Sequence, residues 1–386
     1  MNKISMLTVS TMITATLLLP LLPLQGTGFA KQADPLVTTY SQDSQTKAKQ
    51  LIDEAANHQN IPGIIVASSN KGSKWAYASG EASIYGTDPV KTNFTFRIGS
   101  LTKTFTAMVV LQLVDEQKLN LDDTIEKWLP DVVKGTEYEG DHITIRQLLN
   151  QTSGIPDYSE HKDILDKLLP NPLHSFTADE LVRTGLNMKA TSKPGEKWVY
   201  SNTNTVLAGM IIKKATGETY GEHIRKRFIA PLKLTSTYVP DDYSFIPGEH
   251  ARGYFVLDGQ FIDRTEMNPS WADAAGSMIS TADDMNTFFS AILSGKLLKP
   301  ATLDQMLTGV ETPVGEYGLG IVGTKLTNGI TIWGHGGNFP GFATFAGGTR
   351  GGDYVQTLNI NAMPSEINTL PLSKSIAEQL IGSSSH

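Results

Sequence analysis

Phe96-Arg97-Ile98-Gly99-Ser100-Leu101-Thr102-Lys103 is the stretch on which the reading of this chain turns. Phe96 to Gly99 reads as a strand end and a turn. Thr104 to Val114 is apolar with helical spacing, so Ser100 opens a buried helix and Lys103 stands one turn further on, beside it. Unpaired N–H groups and the dipole at a helix start favour negative charge. That suits a hydroxyl passing through an alkoxide-like state, and it weakens an amine's preference for the charged form. An N-cap is the ordinary alternative for such a serine. The S-x-x-K spacing recurs at Ser44/Lys47 and Ser68/Lys71, but the first lies in a polar stretch and the second straddles a turn at Asn70-Lys71-Gly72. Neither has a buried helix behind it.

With 386 residues, 40% hydrophobic and 18% charged, the composition is that of a globular protein with a large core or two lobes. The net charge of −7 and the lack of a Lys/Arg block argue against a nucleic-acid partner. From Lys3 to Leu24 no further charge occurs, and small residues follow at Gly28 and Ala30. Residues 1–30 read as a secretory signal cleaved after Ala30, leaving a secreted chain with no stable membrane span. A membrane anchor is the alternative, and Pro20 and Pro23 count against it. There is no Cys, which excludes disulfides, thiol nucleophiles and thiolate metal sites.

Outward from Ser100, residues 41–58 read as an amphipathic helix, and Ile61 to Ser69 and Trp75 to Gly80 as two strands joined by the Asn70–Gly72 turn. The Ser100 helix runs to about Gln117. Helix and loop signals then dominate to about residue 245, with capping at Thr177 and a C-cap at Gly217. From about 250 short strands return: Ala251 to Leu257, Gly318 to Val322, Ile330 to Gly334, Phe342 to Gly347 and Tyr354 to Ile360. Helices at Thr281 to Leu293 and Glu366 to Ile381 complete the pattern. The expectation is an α/β fold: an antiparallel sheet flanked by helices from both chain ends (about 31–99 and 250–386) with an inserted helical lobe (about 100–249).

A serine nucleophile needs further proton-handling groups and a cradle for the oxyanion. Tyr200-Ser201-Asn202 is the one Y-x-N among twelve tyrosines, between the Lys193-Pro194-Gly195 turn and an apolar helix. A nearby ammonium would bias its phenol towards phenolate; a Tyr packed under its loop, with Asn202 as a cap, is the plainer alternative. His335-Gly336-Gly337 is the one H-x-G among eight histidines and follows a strand-like run. Two glycines there would let a ligand approach the backbone closely; a tight turn is the alternative. No H-E-x-x-H, G-x-S-x-G, Walker loop or dinucleotide fingerprint competes.

The order S-x-x-K, Y-x-N, H-x-G over about residues 40 to 381 resembles the penicillin-recognising serine hydrolases, in the branch of class C β-lactamases, soluble DD-carboxypeptidases and alkaline D-peptidases. Arg97-Ile98-Gly99, the run Gln151 to Tyr158, Lys193-Pro194-Gly195, Ala275-Gly276 with Ser280 to Asp284, and Trp333-Gly334-His335 match as well. The resemblance implies a β-lactamase/transpeptidase-like fold and no metal or cofactor. It implies that Ser100 forms an acyl-ester, that Lys103 and Tyr200 manage its proton, and that Asn202 holds the substrate amide and steadies Lys103. The backbone N–H groups of Ser100 and Asn338 would form the oxyanion hole. His335 would supply electropositive character, with Gly336 and Gly337 binding substrate alongside it.

Gly336 departs from relatives that carry Thr and use its hydroxyl for a terminal carboxylate. Its absence tilts the expectation towards an exported peptidase acting inside D-amino-acid or peptidoglycan-type peptides, with β-lactams as acylating ligands. A D-Ala-D-Ala carboxypeptidase, a class C-like β-lactamase, an esterase and a non-turning-over penicillin sensor are the alternatives. Phe339, Phe342 and Trp271 line an apolar subsite or belong to the core.

Overall fold

The computed structural model describes residues 40–58, 61–364 and 369–382, which form one compact unit. The expected leader, residues 1–30, lies outside the described residues. Among those described, no helix is long and apolar enough to cross a membrane.

An eight-stranded sheet runs through the centre. Its spatial order is Ser73–Gly80, Gly63–Asn70, Tyr354–Ile360, Phe342–Thr349, Thr331–Phe339, Val322–Lys325, Gly315–Tyr317 and Val310–Thr312. Every neighbouring pair is antiparallel. Lys71 and Gly72 take φ of 49° and 85°, which closes the first hairpin at the turn expected there.

Both faces of the sheet are covered, and strand alternation divides them. Ile64, Val66, Leu358 and Ile360 face the chain-end helices Gln42–His58 and Thr369–Gly382 through Ala48, Ile52, Ile376 and Leu380. Ile65, Ala67 and Val355 face the other way, into the core shared with the helix Ala282–Leu293 and the helical region. This is the α/β arrangement expected, with antiparallel strands between flanking helices.

Thr102–Asp115 is the central helix, buried along almost its whole length and packed beside Asn202–Thr216. A Thr144/Gln147 capping box opens one helix and Thr177 caps another. Gly217, at φ 79°, ends Asn202–Thr216 in the left-handed conformation.

Three strand expectations change. Ile330 to Gly334 is the first part of a longer strand, Thr331–Phe339, so His335-Gly336-Gly337 lies within it, paired in register with Ala346, Phe345 and Thr344. Gly318 to Val322 is not one strand. Gly320 turns there with φ 71°, its N–H bonds the Leu149 carbonyl and its own carbonyl accepts from Thr104 on the central helix. Of Ala251 to Leu257, Tyr254–Leu257 is a strand in a separate small sheet, parallel to Ala362–Pro364.

Candidate active site

Ser100 sits in a 3₁₀ turn, Gly99–Leu101, that leads into the central helix. Its hydroxyl makes no capping bond; Leu101 holds the cap position, and Thr102 Oγ1 donates to the Gly99 carbonyl. The Ser100 oxygen is therefore not committed to the helix end, and the residue is half-buried rather than sealed. Gly99 takes φ 52°, and a Cβ there would lie 2.5 Å from the Asn338 carbonyl oxygen. Only a glycine lets the turn approach the strand so closely. Past Gly334 this strand is paired on one side alone, with Phe342–Thr349, and the Ser100 turn packs along it. The turn that carries Ser100 thus lies against the strand main chain at Gly337 and Asn338.

Lys103 is 1% exposed. Its Nζ lies 3.0 Å from Ser100 Oγ, 2.6 Å from Asn202 Oδ1 and 2.9 Å from the Ala275 carbonyl oxygen. Burial pushes the amine down to about 7, against a smaller upward pull from Asp157. A neutral amine has two N–H donors and one lone pair. Asn202 Oδ1 and the Ala275 carbonyl can only accept, so they take the two donors and the lone pair is left for the Ser100 hydroxyl.

Tyr200 comes from the loop before Asn202–Thr216, with Lys103 Nζ 4.8 Å from its ring centroid. Its phenol is not biased towards phenolate as the sequence suggested. Desolvation holds it well above the ordinary value, the neighbouring Tyr317 adds to that, and hydrogen bonding to Ser100 opposes it. The ammonium that was to lower it is itself a depressed amine, so the phenol stays protonated.

His335 also differs from expectation. It is 4% exposed, its ring 6.3 Å from that of Tyr200. Burial, reinforced by Lys103, pulls it down to about 4, with the bond to the Gly336 carbonyl opposing. It is neutral at pH 7 and supplies no positive charge. Because the Gly336 oxygen can only accept, Nδ1 carries the proton and Nε2 accepts from Tyr317 Oη at 3.0 Å. The two glycines have different surroundings. Gly337 is buried against the Ile98 carbonyl, whereas Gly336 is exposed, with no heavy atom closer than 4.0 Å to the place of a Cβ. Phe339 and Phe342 are core side chains, 1% and 0% exposed. Trp271 stays half-buried, its ring 5.4 Å from that of Phe339.

Four further residues build the site without having been read as candidates. Ala275 supplies a carbonyl to Lys103. Asp157 Oδ2 accepts from Asn202 Nδ2 at 2.8 Å. Gln151, with φ 63°, accepts at its side-chain oxygen from Ser201 N at 2.9 Å and Asn204 Nδ2 at 2.7 Å, and at its carbonyl from Val199 N at 3.0 Å. Its amide also bonds Tyr317, which in turn holds His335. The signal was present in the runs Gln151 to Tyr158 and Ala275-Gly276, which matched the resemblance but carried no assigned role.

The Beta-lactamase family model matches residues 48–378. A D-stereospecific amidohydrolase from Streptomyces sp. superposes with a TM-score of 0.81 at 38% identity, covering 87% of this chain and 98% of that one. The D-amino acid amidase from Ochrobactrum anthropi SV3, complexed with D-phenylalanine, superposes with 0.77 at 27% identity, over 88% and 98%. Penicillin-binding protein 4* of Bacillus subtilis (strain 168) is 27% identical over 330 residues, 78% of this chain and 68% of its own length. Protein flp of Staphylococcus aureus is 28% identical over 287 residues, and the chain spans 54% of its length. A match of that extent, over a chain whose fold agrees with it, fixes the family: this protein belongs to the beta-lactamase family and is a serine hydrolase of the DD-peptidase type.

Proposed function

We propose that the protein is an exported, D-stereospecific serine peptidase or amidase that cleaves D-residue amides and peptides through an acyl-enzyme on Ser100. In the proposed cycle neutral Lys103 takes the Ser100 proton as Oγ attacks the amide carbonyl. The backbone N–H groups of Ser100 and Asn338 hold the oxyanion. The collapse breaks the C–N bond, and the proton held by Lys103 is passed through the Tyr200 phenol to the leaving nitrogen. Water then gives up a proton to the same pair as its oxygen attacks the ester carbon; the C–Oγ bond breaks, Oγ takes that proton back, and the acid leaves with Ser100 restored. Asn202 presents its amide to the substrate and to Lys103.

The observation that carries this reading over a strict carboxypeptidase lies beyond the nucleophile: bare Gly336 beside a neutral, buried His335. That wall has neither a hydroxyl nor a charge with which to demand a terminal carboxylate. The 38% identity to a D-stereospecific amidohydrolase points the same way. A β-lactamase or an esterase would share the acylation chemistry, so reaction with a penicillin or a nitrophenyl ester does not separate them.

The deciding assay compares a D-Phe oligomer and its amide, the L-enantiomers and a D-Ala-D-Ala peptide. Internal cleavage of the D-Phe oligomer, lost in Ser100→Ala, is the expected outcome. Release of terminal D-Ala alone would hand the case to the carboxypeptidase, rapid turnover of a chromogenic cephalosporin to the β-lactamase, and stoichiometric acylation without product to a sensor. Export predicts a mature N-terminus at Lys31 in protein recovered from culture medium; an N-terminus at Met1 would contradict it.

A further inference from the structure

We propose that Asp157 is a positioning residue: its carboxylate holds the Asn202 amide with the oxygen towards Lys103 and so aims the lysine lone pair at Ser100. A carboxylate only accepts hydrogen bonds, so the group of Asn202 that faces it must be the NH₂. That NH₂ donates to Asp157 Oδ2 at 2.8 Å and reaches Ser159 Oγ at 3.2 Å. Asp157 is itself fixed, since Oδ1 accepts from the Ser159 backbone N–H at 2.9 Å and the residue is 9% exposed.

With Nδ2 so engaged, Oδ1 is left for Lys103 at 2.6 Å. A flipped Asn202 would turn an N–H towards the amine. The lone pair would then answer Asn202, and an N–H of Lys103 would face Ser100, an arrangement unable to take the serine proton. One carboxylate away from the reacting atoms therefore selects between a working and a dead orientation of the base. Its negative charge also favours the ammonium form of Lys103. The other titratable groups facing Lys103 are Tyr200, from the loop before the Asn202 helix, and His335, from the strand.

This inference rests on the proposed Ser100 acyl-enzyme, and a double-mutant cycle in the full chain tests it, read with a nitrophenyl ester. Asp157→Asn is expected to lower kcat/KM about 10- to 100-fold, and to move the acid limb of the profile to lower pH, because an anion that favoured the ammonium has gone. Asn202→Ala loses activity by the direct route. In that background Asp157→Asn should cost less than about twofold more, since its partner is already absent. If Asp157→Asn does not fold, Asp157→Glu carries the same comparison with the acid limb unmoved.

Losses that multiply in the double variant, or an acid limb that stays put in Asp157→Asn, would reduce Asp157 to a turn residue. Ester turnover that survives Ser100→Ala would overturn the acyl-enzyme reading and this inference with it. Active wild type with multiplying losses overturns the inference alone.

Discussion

Gly337 and Ile98 meet backbone to backbone: a Cβ on Gly337 would lie 1.9 Å from the Ile98 carbonyl oxygen and 3.1 Å from the Leu101 nitrogen. The strand and the nucleophile turn are thus in register through a contact that admits no side chain. Gly337→Ala should push the turn away from Asn338. The expected cost is about 1–3 kcal/mol in stability and a loss in acylation of order 100-fold. Thermal melting and ester turnover measure both, and a fully active Gly337→Ala would contradict the packing described.

The next residue should behave in the opposite way. Gly336 is exposed and has open space where a Cβ would stand. Gly336→Thr should fold normally and place a hydroxyl on the cleft wall. Preference for a D-dipeptide with a free carboxylate over its amide should rise about 10-fold, the worth of one hydrogen bond to a charged group. An unchanged ratio would mean that the carboxylate end does not lie against this residue.

The profile of kcat/KM should fall on its acid side with a midpoint near pH 7, the value to which burial brings Lys103. Its sign follows from the chemistry: only the neutral amine accepts the Ser100 proton, so activity rises as pH rises through that value. Lys103→Arg should be inactive throughout, because a guanidinium is never neutral in this range. An acid limb at pH 4 to 5 would point to a carboxylate instead.

His335 should leave its mark on stability in acid. Its folded value is about 4, below the ordinary 6.5. The unfolded chain therefore binds the proton first, and stability drains away as pH falls from about 6.5 to 4, by roughly 3 kcal/mol. Asp273, raised to about 6 by burial, works in the opposite direction over a similar window. The informative quantity is thus the difference between wild type and His335→Gln, which should lose less on acidification. Parallel denaturation curves at pH 7 and 4.5 would refute a buried neutral imidazole here.

What could be read in the sequence was local. Ser100 and Lys103 share one turn, Tyr200 and Asn202 share one short loop, and each stood out by spacing against its own neighbours. Asp157, Gln151 and Tyr317 did not, because what they do depends on partners far off in the chain: Asn202 for Asp157, Ser201 and Asn204 for Gln151, and His335 for Tyr317. Single polar residues carry no period to betray them. The glycines after His335 read as the end of a strand because glycine weakens strand propensity. They are strand residues because the Phe342–Thr349 partner and the Ser100 turn leave no room for a side chain at Gly337. Protonation was legible only in part: the helix start hinted at a weakened amine at Lys103. How far burial lowers it, and that burial holds Tyr200 a phenol and His335 a neutral imidazole, depends on distant packing that leaves no mark in the local sequence.

A phenol held well above its ordinary value stays protonated, so Tyr200 enters the cycle as a relay that passes a proton to the leaving nitrogen only as it regains one from Lys103, which gives it a test that Lys103 does not share. An amine leaving group must gain a proton as the C–N bond breaks, whereas nitrophenolate departs without one. If Tyr200 delivers that proton, Tyr200→Phe should lower kcat on a D-amino-acid amide about 100-fold or more while leaving nitrophenyl ester acylation within about 10-fold. Lys103→Met should depress both substrates alike, since both need the Ser100 proton removed. Equal losses on amide and ester in Tyr200→Phe would mean that the phenol acts before the leaving group does, and the assignment of base and donor would have to be reversed.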